Sequence, residues 1–113
     1  MEVRAIAKNV GRSPQKVRLV VDAVRGRTVN EALAMLSFMP QGAATDVYKV
    51  VKSAASNAAN NFDLDINDLY VHRIYVDEGR TLKRFKARSH GRVAPRLRRS
   101  SHITAVVQEK GAS

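Results

Sequence analysis

From Glu2 to Val10 the apolar residues alternate loosely, with Val3, Ala5 and Ala7 on one side, and this predicts an edge strand. Asn9-Val10-Gly11-Arg12 then turns the chain. Val17, Val20, Val21 and Val24 recur at helical spacing. Ser13-Pro14 supplies the start of that helix: a serine N-cap whose side chain accepts from an orphan amide, and a proline at the first position, where a missing N–H costs nothing. Gly26 closes it. Thr28 and Glu31 have capping-box spacing and open a second helix, with Val29, Leu33 and Leu36 as its stripe and Pro40 as its end. A third helix runs from about Pro40 to Asn61 behind Ala43, Val47, Val50, Val51, Ala54 and Ala58, small residues that allow close packing. An acidic loop at Asp63, Asp65 and Asp68 follows.

At Leu69 the period becomes two. Tyr70, His72, Ile74 and Val76 fall on one face of the predicted strand, and Leu69, Val71 and Tyr75 on the other. The strand leads through a bend at Asp77-Glu78-Gly79 into a segment without acidic residues, and the chain returns as an apolar, β-branched strand from Ser100 to Val107. Gln108 to Ser113 reads as a loose tail.

Charge changes the picture between those two strands. Residues 80–99 hold nine of the chain's twenty Lys and Arg residues: Arg80, Lys83, Arg84, Lys86, Arg88, Arg92, Arg96, Arg98 and Arg99. Eleven basic residues then face ten acidic ones elsewhere, so nearly all of the +10 formal charge sits in this block. Within it Arg84, Lys86 and Arg88 alternate with Phe85, Ala87 and Ser89, and Arg92, Arg96 and Arg98 alternate with Val93, Pro95 and Leu97. Two strand-like runs around Ser89-His90-Gly91 predict a hairpin with a three-residue loop and Gly91 at its left-handed position. Arg88 then pairs with Arg92 and Arg84 with Arg96, which keeps both basic rows on one face. About eleven residues at roughly 3.3 Å each give the arm a reach on the order of 35 Å. Like charges opposite one another destabilise the pair, so the expected arm is mobile when free and ordered by phosphate contacts when bound.

The counterpart of such a block is a polyphosphate. Thirteen arginines to seven lysines suit planar, bidentate phosphate contacts, and a long hairpin suits threading between packed RNA helices. The alternative is an architectural DNA-bending protein with a basic β-arm and Pro95 as an intercalating wedge. Pro95 lies four residues past the expected loop, too far back to lead the tip.

Other chemistry finds little support. The chain has no Cys, and His72, His90 and His102 have no metal-ligand spacing. Asp77 and Glu78 are adjacent, so on a strand they diverge rather than converge on a substrate; the reading is carboxylates paired with nearby Arg. The expectation is a protein that is not an enzyme, with no cofactor, metal, small-molecule substrate or membrane partner. No apolar run has the length of a membrane span and Met1-Glu2-Val3-Arg4 does not open a signal peptide, so a cytoplasmic setting is expected.

Several strings carry a family resemblance: Ser13-Pro14-Gln15-Lys16-Val17-Arg18-Leu19-Val20, Val24-Arg25-Gly26, Glu31-Ala32-Leu33 and Ser53-Ala54-Ala55-Ser56-Asn57-Ala58. Val76-Asp77-Glu78-Gly79, Leu82-Lys83-Arg84-Phe85, Gly91-Arg92 and Ser101-His102-Ile103-Thr104 continue it. In this order and spacing the chain resembles the bacterial large-subunit ribosomal protein L-twenty-two family over nearly its whole length. The resemblance implies an α+β fold, three helices packed on a small antiparallel sheet with one long protruding basic β-hairpin. Residues 1–113 then form a single domain, its globular part about 1–79 and 100–113 and its arm about 80–99. It further implies a structural constituent of the large ribosomal subunit that binds its rRNA, supports assembly and places the hairpin tip in the wall of the nascent-peptide exit tunnel. Neighbouring ribosomal proteins, protein L-four among them, and the nascent peptide would be partners. Carried over by position, Lys83, Arg84, Arg88, Gly91 and Arg92 would be arm or tip residues on rRNA, and Lys16 and Arg18 contacts from the globular part. The charge of the block adds Arg80, Lys86, Arg96, Arg98 and Arg99 to the expected rRNA-binding residues, and the expected tip is Arg88, Ser89, His90, Gly91 and Arg92. Lys83 and Arg84 would be the candidates for macrolide resistance.

Overall fold

The computed structural model describes residues 2–79, 82–87, 93–98 and 100–109. In chain order the described elements are β1 (Glu2–Val10), α1 (Pro14–Val24), α2 (Val29–Phe38), α3 (Gly42–Phe62), a short 3-10 turn (Ile66–Asp68), β2 (Leu69–Glu78), β3 (Leu82–Ala87), β4 (Val93–Arg98) and β5 (Ser101–Glu109). Three helices cover one face of an antiparallel sheet ordered β1-β5-β2, and β3 and β4 form a separate two-stranded ladder. This is the expected α+β architecture, with β1 at an edge.

The helices start where side chains and proline dictate, with one change of partner. Thr28 Oγ1 accepts from the Glu31 amide at 3.2 Å, as the capping box requires. Ser13 stands at the N-cap of α1, but its side chain makes no cap bond. Its backbone carbonyl takes the Lys16 amide at 3.1 Å and the Val17 amide at 3.3 Å instead. Gly26, just beyond α1, adopts φ 82°, the left-handed conformation expected of a closing glycine. Thr28→Ala should cost about 1 kcal/mol of stability, read as a shift in the urea midpoint at constant slope.

The core is aliphatic, as a chain with 5% aromatic residues requires. Val17, Val20, Val21 and Val24 of α1 share one core with Val47, Val51, Ala54 and Ala58 of α3 and with Leu69, Val71, Ile74, Val76, Ile103, Ala105 and Val107 of the sheet. In α2 the buried residues are Val29, Ala32 and Leu36, while Leu33 packs only partly against the core. Helix α3 begins at Gly42 rather than at Pro40: Gln41 is extended at the N-cap, and Arg12 reaches over from the end of β1 to Asp46 at 2.8 Å.

The two expected faces of β2 need correction. Leu69 and Val71 are buried, and so are Ile74 and Val76, on the opposite parity. The cause is a bulge. Val71 pairs with Val107 but Arg73 pairs with Val106, so His72 is an extra residue that resets the alternation and returns the next apolar pair to the core. Two other boundaries also move. Asp77 and Glu78 are not a bend but the end of β2, opposite His102 and Ser101. Gln108 and Glu109 belong to β5 rather than a tail, since both flanking strands pair with Gln108, through Glu2 and Tyr70.

Candidate nucleic-acid interface

The basic block forms a strand pair in the expected register. Leu82 pairs with Arg98, Lys83 with Leu97, Arg84 with Arg96, Phe85 with Pro95, Lys86 with Ala94 and Ala87 with Val93. Cross-strand partners share a face of a ladder, so Arg84 and Arg96 occupy one site pair with like charge. A two-stranded ladder is marginal by itself. Pro95 sits mid-ladder opposite Phe85, not at a leading end. Arg80, Arg99 and the tip residues Arg88, Ser89, His90, Gly91 and Arg92 lie outside the described residues.

The arm does not continue the sheet ladder in phase. At its root Glu78 pairs with Ser101, and the first arm pair is Leu82 with Arg98. Three residues (79–81) separate these pairs on the outgoing side and two (99–100) on the return. Gly79 donates to the Ser100 carbonyl at 2.8 Å, closing the root. A side chain at Gly79 would meet the Ser100 hydroxyl and come within 3.2 Å of the Ser100 carbonyl carbon. Gly79→Ala should therefore separate the two strands at the root and lower stability by about 1–3 kcal/mol, checked by thermal unfolding.

On the globular part, the expected contacts Lys16 and Arg18 are both exposed on α1. Arg18 has an additional task. Its Nη2 donates to the Val76 carbonyl at 3.2 Å, and Nη2 of Arg25 donates to the Ile74 carbonyl at 2.9 Å. Gly26 donates to the Val71 carbonyl at 3.0 Å, and Val71 donates to that of Arg27 at 2.8 Å. The outer edge of β2 is thus closed by α1 and the segment after it, which spares an edge strand its unpaired groups. Sequence reading cannot find this role: nothing in α1 alone says which strand lies beside it. Arg18 keeps further guanidinium donors for an anion after satisfying Val76.

The helix-free face of the sheet carries a polar network that sequence also hides. Tyr70 donates to Gln108 Oε1 at 3.1 Å and lies 3.0 Å from His72 Nδ1, while His72 Nε2 and Arg73 Nη2 reach Glu2 at 3.2 and 2.7 Å. Among the described residues no group of three or more His, Asp or Glu side chains is placed to hold a metal ion. No described helix is long and apolar enough to cross a membrane.

Comparison with known proteins decides the family. The family described as "Ribosomal protein L22p/L17e" matches residues 5–108. The chain belongs to this family of ribosomal proteins. A curated relative, "Large ribosomal subunit protein uL22" of Clostridium novyi (strain NT), is 56% identical over 110 residues, which cover 97% of this chain and 99% of the relative. The match to the family spans the helices, the sheet and both strands of the arm, so the basic ladder lies within the family's own domain. The motifs from Ser13-Pro14 to Ser101-His102 all fall within that span. Membership in a ribosomal family speaks against the DNA-bending alternative, as does the mid-ladder position of Pro95.

Proposed function

We propose that this chain is a structural constituent of the large ribosomal subunit in the cytoplasm, binding large-subunit rRNA through its basic arm and supporting subunit assembly. Family membership supports the ribosomal setting, and the relative's name supplies the large subunit. One observation carries the binding mode: nine basic and no acidic residues in positions 80–99, five of the nine on a described ladder that sets Arg84 directly opposite Arg96. Such a row is repulsive in isolation and becomes favourable against a closely spaced phosphate backbone. Its residues toward rRNA are Arg80, Lys83, Arg84, Lys86, Arg88, Arg92, Arg96, Arg98 and Arg99, with Lys16 and Arg18 as contacts from the globular part.

The tip, residues 88–92, then lines the nascent-peptide exit tunnel, with protein L-four and the nascent peptide as neighbours. The chemistry is binding and shape-filling, without a catalytic step. Sedimentation of the tagged protein from gently lysed cells tests the setting: at high salt it should run with the large subunit. Recovery with chromosomal DNA, or alone at the top of the gradient, would refute it. A crosslinker placed at His90 tests the tip, and should reach a stalled nascent chain.

A further inference from the structure

Asp77 and Glu78 are expected from sequence to pair with nearby arginines. Among the described residues neither carboxylate makes an ion pair or a side-chain hydrogen bond. Glu78 instead shares an open cleft with a cation. Ser13, Pro14, Gln15 and Arg18 at the start of α1, together with Glu78 at the end of β2, line a space of about 490 Å³. That is within the roughly 300–1,000 Å³ range of small-ligand sites. Arg18 uses Nη2 on the Val76 carbonyl and keeps its Nε and Nη1 donors. The Ser13 hydroxyl makes no cap bond. Asp77 points to the other side of the strand by the pleat and does not line the cleft. The cleft thus holds a guanidinium with spare donors and an acceptor-only carboxylate, and the two are not bonded to one another.

We propose that this cleft takes an unpaired guanine of large-subunit rRNA, with Glu78 accepting from its N1–H and N2–H and Arg18 donating to its O6 or N7. An occupant must bring donors to one wall and acceptors to the other. Guanine alone among the RNA bases has two adjacent N–H groups on its Watson–Crick edge, and its O6 and N7 are the acceptors that a guanidinium matches. Adenine and cytosine set an amino group beside a ring acceptor, and uracil sets one N–H between two carbonyls, so a carboxylate against any of these meets a lone pair. Base pairing hides the Watson–Crick edge, which makes the target a single-stranded guanine. A cationic side chain from a neighbouring protein would satisfy Glu78 but would face Arg18 with like charge. The inference rests on the reading of the chain as an rRNA-binding protein, and it adds an acidic contact that no count of basic residues suggests.

Glu78→Gln in the full-length chain tests it by the sign of its effect on binding to transcribed large-subunit rRNA. A carboxylate that only stands in solvent beside a polyanion repels it, so neutralising it would leave binding unchanged or tighten it. A carboxylate that reads a base should, on becoming an amide, weaken binding about tenfold. Kethoxal, which modifies N1 and N2 of unpaired guanines, should find one guanine protected in the wild-type complex and reactive in the variant complex. Glu78 is exposed and the substitution keeps its shape, and an unchanged thermal midpoint confirms the fold. Wild-type or tighter binding overturns the inference, as does weaker binding with no guanine changed. If Arg84→Gln with Arg96→Gln then binds weakly, the rRNA reading stands without it. If both variants bind as wild type, the rRNA reading falls and this inference with it. Unchanged rRNA binding by Glu78→Gln together with lost incorporation into large subunits would assign the carboxylate to a neighbouring protein and overturn the inference as well.

Discussion

Replacing Arg84, Lys86, Arg96 and Arg98 together by Gln should reduce the salt dependence of rRNA binding by about 3 in the slope of log K against log salt, at roughly 0.7 to 0.9 for each phosphate no longer neutralised. The expectation follows from where these four sit. Arg84 faces Arg96 on the ladder, and Lys86 and Arg98 stand two positions away along the two strands, on the same face by the pleat. No acidic residue lies within positions 80–99 to shield them. The loss should be nearly uniform across RNA sequences, because phosphate contacts position a protein without reading bases. The folded body should be untouched, since β3 and β4 pair with each other and not with the three-stranded sheet. Thermal unfolding of the variant should therefore match wild type. An unchanged salt slope with an intact fold would remove the arm from the binding surface.

The largest effect on stability should come from Ile103→Ala. Ile103 is fully buried on the central strand, between Ala7 of β1 and Val76 of β2, with the helices above it. With no Trp in the chain, the largest fully buried side chains among the described residues are Leu69, Ile74 and Ile103, so little else in the core can fill the gap. Truncations of this kind cost about 2–5 kcal/mol, a large share of the roughly 5–15 kcal/mol that holds a domain together. On the scale of about 4–8 °C per kcal/mol, Tm should fall by about 10 °C or more. Binding to the subunit should mask part of the defect, because a partner that binds only the folded state stabilises it by mass action. A loss below about 1 kcal/mol would mean that the site collapses around the smaller side chain.

Sequence revealed most where the signal is local. The Thr28 cap, the valines of α1 and the small face of α3 each depend on spacing within one helix, and all appear in the structure. The arm register was legible too, because alternation and the Gly91 loop fix it together, and the pairing of Arg84 with Arg96 agrees. What failed depended on a neighbouring element. No pattern within β2 marks His72 as an extra residue; only the pairing of Val71 and Arg73 with consecutive residues of β5 does. The dual position of Arg18, exposed yet bonded to Val76, likewise depends on α1 lying along β2. The open sheet face was hidden for the same reason: Arg4 and Arg73 are far apart in sequence and become neighbours through Val106.

The unequal spans at the root of the arm have a consequence for how this protein tolerates change. With three residues leaving and two returning, the sheet ladder and the arm ladder are offset by one residue in count. Deleting one of residues 79–81 would bring the two ladders into step and convert them into one continuous ribbon, twisting evenly from β2 to the loop. Inserting one residue on the return side would do the same. A matched insertion on both sides would lengthen the arm and preserve the offset. Single indels at this joint therefore change the step between the two ladders, and matched ones leave it as it is.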